Sequence, residues 1–181
     1  MNAPETTGPV PSGHAGAVAH EGHDPAEVSR CGLLLFIFSE AFLFAAFISA
    51  RLYLAGLAKP EHVNLALGGV MTAILVASSV LSYRGLAALG RGDRRAAARW
   101  LVGTVLLGLV FVAGVAIEWS TAEFSITSAY GSAFFSITGL HATHVIAGLV
   151  ALSLAIRLLR RGHFAGASTW GLRGCVIYWT F

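Results

Sequence analysis

CGLLLFIFSEAFLFAAFISA, residues 31–50, holds twenty residues of which one, Glu40, carries a charge at neutral pH. A helix of that length rises about 30 Å, the thickness of the hydrocarbon core of a bilayer. The stretch therefore reads as a transmembrane helix, and the remainder of the chain repeats the pattern. Further apolar blocks cover about residues 65–86, 100–117 and 131–158. Each reaches across the core, the third with nearly all of its residues. A last apolar piece, residues 169–181, contains Arg173 and gives only about 20 Å of helix, too short to span. The predicted fold class is all-α: an integral membrane bundle of four complete transmembrane helices plus a partial fifth.

Composition agrees with this reading. Of 181 residues, 56% are hydrophobic and 12% charged, against about 25% charged in soluble domains. The net charge of +3 comes from arginines beside the apolar blocks, with no basic stretch interleaved with aromatics. They mark topology, and no nucleic-acid partner is expected. Arg30 precedes the first span, Arg84, Arg91, Arg94, Arg95 and Arg99 lie between the second and third, and Arg157, Arg160 and Arg161 follow the fourth. The opposite loops hold only Arg51 and Lys59. Positive charge favours the cytoplasmic side, so the N-terminus is expected there, in a multi-pass membrane chain.

Residues 1–29 are expected to form a mobile polar tail ahead of the bundle at 30–181. They are rich in Pro, Gly, Ala and His and have neither a basic n-region nor an apolar h-region, so they do not read as a signal peptide. His14, His20 and His23 could hold a metal only weakly, for want of supporting groups. Cys31 and Cys175 are far apart and suggest neither a disulfide nor zinc; buried free thiols are the expectation. Ala45 with Ser49, Ser78 with Ser82, and Gly103, Gly108 and Gly114 are small positions at which helices can approach closely in lipid. No internal repeat is visible, so an inverted-repeat transporter gains no support.

The chemistry lies in the polar groups inside the spans. Glu40 sits roughly 15 Å past Arg30, near mid-membrane, among Phe36, Ile37, Leu43 and Phe44 on its own face. An ionisable residue there costs a few kcal/mol or more (about 3 on insertion scales) and is a functional candidate for that reason. Its apolar neighbours favour the uncharged acid over the anion. His141 and His144 are neighbours on one face of the fourth span, with His144 roughly 20 Å above Arg157. The depths allow a carboxylate–imidazole pair if the first and fourth spans touch. Three readings stand side by side: a protonated Glu40 hydrogen-bonded to His, Thr138 or Thr143 as a structural lock; a proton buffer or relay of Glu40, His141 and His144; and a metal held by two histidines and a carboxylate, for which no further ligands are visible. Glu118 ends the third span as an interfacial carboxylate. Arg173 either snorkels or meets a carboxylate or lipid phosphate.

At these residues the chain resembles a known family. FIFSEAFLFAAFISA is similar to the first-helix motif of haem–copper oxidase subunit III in its short five-helix bacterial form. EWSTAEF, then AYGSAFFSITGLHATHVIAGL, is similar to that family's Glu-plus-aromatic, Tyr-Gly-Ser-x-Phe-Phe and Gly-x-His-x-x-His-Val-x-x-Gly signature. The resemblance runs from about residue 30 to the end. It implies a core subunit of a proton-pumping cytochrome c oxidase that itself carries no redox centre. Haem and copper are then held by partner subunits, and this chain packs against subunit I in a complex with subunit II, binds phospholipid and sustains proton uptake. By position, Glu40 matches the family's carbodiimide-reactive carboxylate, His141 and His144 its paired histidines, and Glu118 the carboxylate ending the next helix. Thr180 stands where the family has His, and the family's last helix runs on beyond the position of Phe181, so the resemblance is to a last helix cut short. The same motifs fit a subunit-III-like accessory protein of a nitric oxide reductase. From another class, a small proton-coupled transporter or assembly factor would use Glu40 and His144 as a relay.

Overall fold

The computed structural model describes residues 25–56, 65–122, 125–162 and 169–181. Among the described residues five helices form: α1 (Pro25–Ala55), α2 (Leu65–Gly90), α3 (Arg94–Ser120), α4 (Ala129–Arg160) and α5 (Trp170–Thr180). The first four are long and apolar enough to cross a membrane. The fifth, at 11 residues, is not. The all-α membrane bundle is thus the observed architecture. The expectations for the tail at residues 1–24, and the one resting on Lys59, lie outside the described residues.

The helices overrun the predicted spans because local chemistry at their ends extends them. Pro25 opens α1, five residues ahead of the predicted bundle; its fixed φ suits a first helical turn and its missing N–H is not needed there. Between α2 and α3 only residues 91–93 are non-helical, so most of the predicted arginine loop is helix. Gly92 takes φ +82°, Gly92 N donates to Leu89 O (2.9 Å) and Asp93 N to Ala88 O (3.1 Å). This left-handed cap ends α2 at a residue without a Cβ. Asp93 then starts α3, its Oδ1 accepting from Ala96 N at 2.8 Å. Ser128 caps α4 in the same way through Gly131 N.

The α2–α3 hairpin is the most closely packed pair; α4 lies on α3, and α5 sits against α4, α2 and α1. Helix α1 reaches only α4 and α5. One apolar cluster, with Ala97, Leu101, Leu152, Leu159, Leu172 and Val176 at its centre, joins α2, α3, α4 and α5 at the arginine-rich end. A second, of Phe111, Val115, Val145 and Leu149, joins α3 and α4 further along. The arginines of α3 and α4 share one end, where Arg94, Arg95, Arg99 and Arg160 line a common cavity. Arg30 of α1 lies at the start of α5, its guanidinium 5.2 Å from the centre of the Trp170 ring. At the other end Arg51 lies 5.7 Å from the Tyr130 ring of α4. These two contacts hold α1 at both ends, each worth about 0.5–1 kcal/mol where exposed.

Small residues admit the close approaches. Ser78 and Ser82 are fully buried, and a Cβ at Gly114 would collide with Met71 of α2. Ala45 and Ser49 depart from this expectation, because both are exposed on α1, away from any helix of this chain. Cys31 is likewise exposed, not buried, while Cys175 is half-buried; both are free thiols. The reason is the same for all three: α1 turns most of its surface outward, with Leu34, Leu35, Phe38 and Phe42 each more than 60% exposed.

Candidate functional site

Hydroxyl side chains within the spans satisfy themselves on their own helices. Ser39 donates to Phe36 O, Thr72 to Gly68 O, Ser79 to Leu75 O, Thr138 to Phe134 O and Thr143 to Gly139 O. An ionised carboxylate has no proton to donate to a carbonyl of the preceding turn, so Glu40 needs partners from elsewhere. The contact of α1 with α4 supplies them. Glu40 Oε2 lies 3.6 Å from His144 Nδ1, with side-chain exposures of 20% and 11%. Among the described residues this is the one side-chain ion pair, and neither Thr138 nor Thr143 takes part in it.

Aromatic rings surround the imidazole. Tyr178 of α5 stacks on the His144 ring with centroids 4.3 Å apart and planes at 28°. Phe44 stands edge-on to both His141 and His144 at 6.2 Å. Phe111 stands edge-on to His141 at 5.5 Å, and Phe36 flanks Tyr178 at 5.8 Å. His141 thus shares the aromatic wall without touching Glu40. His144 Nε2 is buried and has no hydrogen-bond partner. A cavity of about 280 Å³ borders this imidazole and is lined also by Phe44, Leu75, Ser78, Ser79, Tyr178 and Thr180. Its lining mixes these polar groups with a larger apolar share from Val145, Trp179 and Phe181. The arrangement sets a carboxylate against an imidazole whose other nitrogen is buried beside a cavity.

Helix α5 is positioned by Trp179. Its Nε1 donates to Ser78 Oγ of α2 at 3.1 Å. Its ring lies where a Cβ at Gly108 would come within 2.5 Å and one at Gly148 within 2.9 Å. The two glycines therefore form the slot for this ring. With Trp179 seated, Tyr178 faces His144, its hydroxyl donating to His144 O at 3.4 Å, and Thr180 Oγ1 lies 3.4 Å from Tyr83 Oη.

Sequence reasoning named Glu40, His141 and His144 as site residues, and Ser78 only as a small packing position; Tyr178 and Trp179 were not named as site residues. The pair Gly108 and Gly148, small positions on two different spans, was the available signal for a bulky residue between them. Glu118 lies apart near the far end of α3, half-buried, beside Trp119, whose Nε1 donates to Thr138 Oγ1 at 3.1 Å. Arg173 is exposed on α5. Among the described residues no three His, Cys, Asp or Glu side chains gather as metal ligands do.

Fold and site together define a polytopic membrane helix bundle with a half-buried carboxylate–imidazole contact between two of its helices. The family model for cytochrome c oxidase subunit III matches residues 17–181. The chain is 30% identical to cytochrome c oxidase subunit 3 of Synechocystis sp., over 90% of this chain and 73% of the relative. It is 32% identical to that of Thermostichus vulcanus (93% and 87%) and 35% identical to that of Corynebacterium diphtheriae (83% and 79%). The chain belongs to the cytochrome c oxidase subunit III family.

Proposed function

We propose that this chain is the third core subunit of a haem–copper terminal oxidase in a bacterial plasma membrane. It packs against catalytic subunit I, with subunit II in the same complex, while the haem and copper reside in those partners. The observation that carries the reading is the Glu40–His144 contact, formed between the two motifs that typify the family. Within the complex, Glu40 and His144 exchange a proton near mid-membrane and so support proton uptake by the catalytic neighbour. His141 and Tyr178 keep the His144 ring in place, and Arg173 meets a lipid phosphate at the interface. The outward apolar face of α1, with Phe38 and Phe42, suits a helix of a partner subunit.

Purification of the tagged chain from its native membrane in mild detergent, followed by a visible spectrum, tests the assignment. Haem and copper in the eluate, with a subunit I of oxidase type, are the expected result. A haem-containing partner of nitric oxide reductase type would move the chain to that complex. A spectrally silent homo-oligomer would remove the assignment and favour an independent transporter or assembly factor.

A further inference from the structure

The arginine-rich end of the bundle carries a charge that the Glu40 site does not use. On α3 and α4, Arg94, Arg95, Arg99 and Arg160 surround an open depression of about 660 Å³ floored by the buried Ala98 and Leu159. All four arginines are exposed, no carboxylate lines the depression, and none of the four forms an ion pair among the described residues. Helix α3 begins here, with Arg94 and Arg95 and no acid in its first turn, so the positive end of its dipole adds to like charges. Asp93, the nearest acid in sequence, is engaged with Ala96 N at 2.8 Å. Arg160, in the last turn of α4, and Arg94, beside Gly162, meet the negative end of that helix. Four positive charges still face one depression.

The complementary charge lies in the same chain. Before Arg30 the sequence holds Glu5, Glu21, Asp24 and Glu27 and neither Lys nor Arg. Three of these acids fall in the 24 residues that precede α1. The register of the bundle brings the start of α1 to the arginine end. Arg51 meets Tyr130, Phe44 meets His141 and Glu40 meets His144, an antiparallel progression of α1 along α4. Continued back to Pro25, it arrives about level with Leu159, in the floor of the depression. At about 3.6 Å per extended residue, Glu21 can reach about 14 Å from Pro25 and Glu5 about 70 Å, against a helix diameter of about 10–12 Å. The tether also makes the encounter intramolecular, at an effective concentration in the millimolar range. Planar guanidinium forks match carboxylate geometry. We propose that the acidic segment preceding α1 docks on the arginine depression of α3 and α4 in its own chain, Glu5 and Glu21 facing Arg94, Arg95, Arg99 and Arg160. The proposal rests on charge and helix register alone and involves neither Glu40 chemistry nor the identity of any partner subunit.

Double electron–electron resonance on the full chain in a zwitterionic detergent tests it. Spin labels are placed at Ser12→Cys and Gly90→Cys, with Cys31→Ala and Cys175→Ala, and the labelled chain is diluted with unlabelled chain. A Cβ at Gly90 meets nothing within 4 Å. A near population of distances should be present at about 0.01 M salt. It should decline at about 1 M, where the Debye length falls from about 30 Å to about 3 Å. Glu5→Gln with Glu21→Gln should lower the near-to-far ratio about fourfold, from about a factor of two per exposed ion pair. Arg94→Gln with Arg160→Gln should do the same, and the four substitutions together should act less than additively because they remove the same contacts. A label pair at Gly32→Cys and Gly90→Cys, both open around their Cβ, reports the bundle itself and should not change in any variant. Equal distance distributions in the wild type and the Glu5→Gln, Glu21→Gln variant overturn the proposal. So does a loss with the glutamates but not with the arginines, which places the segment elsewhere. A near population that disappears on dilution with unlabelled chain also overturns it and assigns the depression to a second copy.

Discussion

Gly148→Leu should loosen α5 and disturb the histidine site at once. A Cβ at Gly148 would lie 2.9 Å from Trp179 Cε3 and 3.5 Å from Tyr178 Cε1, and leucine adds three further carbons in the same direction. The Trp179 ring cannot retreat into α3, because the Gly108 backbone already meets its other edge. Overpacking of this kind costs about 1–3 kcal/mol. Expulsion of Trp179 also breaks its hydrogen bond to Ser78 Oγ, worth about 0.6 kcal/mol on average and up to about 1.7 in membrane bundles. Replacing glycine recovers about 1 kcal/mol of helix propensity, as does the same change anywhere in a span. Gly69→Leu on α2 is therefore the matched control, since a Cβ there meets nothing within 4 Å. The expected loss relative to this control is about 2–4 kcal/mol, the sum of the packing and hydrogen-bond losses. It is measured by reversible SDS unfolding of the full chain in mixed micelles, followed by tryptophan fluorescence. Stability of Gly148→Leu within about 0.5 kcal/mol of Gly69→Leu, the ordinary scatter of neutral substitutions, would refute the wedge and the placing of Tyr178 that depends on it.

Glu40 should react slowly with a hydrophobic carbodiimide in a pH-dependent manner, detected by peptide mass spectrometry and lost in Glu40→Gln; labelling confined to other carboxylates counts against an accessible, protonatable Glu40. A double-mutant cycle of Glu40→Gln and His144→Leu should give a coupling of about 0.6 kcal/mol, and no more than about 1.7, in the same unfolding assay. Additive effects would mean the two side chains do not interact. Asp93→Ala should cost about 1 kcal/mol through loss of the cap on Ala96 N, whereas an unchanged unfolding midpoint would deny that Asp93 anchors the α2–α3 hairpin.

Much of the fold was legible in the sequence because bilayer thickness imposes a length on every span and arginine placement imposes an alternation. The sequence reading placed Glu40 and His144 at similar depths, since rise per residue is all that depth requires. Lateral order was not legible. Nothing in the periodicity of α1 says that it touches α4 and α5 but neither α2 nor α3, and its weak packing is why Ala45, Ser49 and Cys31 lie exposed. Helix ends were also drawn too short at Arg94 and Gly90, because arginine and alanine sustain a helix beyond the hydrocarbon when a residue such as Asp93 caps it. Tyr178 and Trp179 escaped notice as site residues because their importance comes from two glycines on other helices. A local pattern cannot express that.

Infrared difference spectroscopy on the purified complex tests the central claim, that Glu40 is a protonatable group coupled to His144, most directly. The carboxyl signal of Glu40, identified by its loss in Glu40→Gln, should respond to pH and should shift in His144→Leu. A Glu40 signal that is insensitive to pH, or identical with and without the imidazole, would contradict the coupled pair and leave Glu40 as a structural hydrogen bond alone.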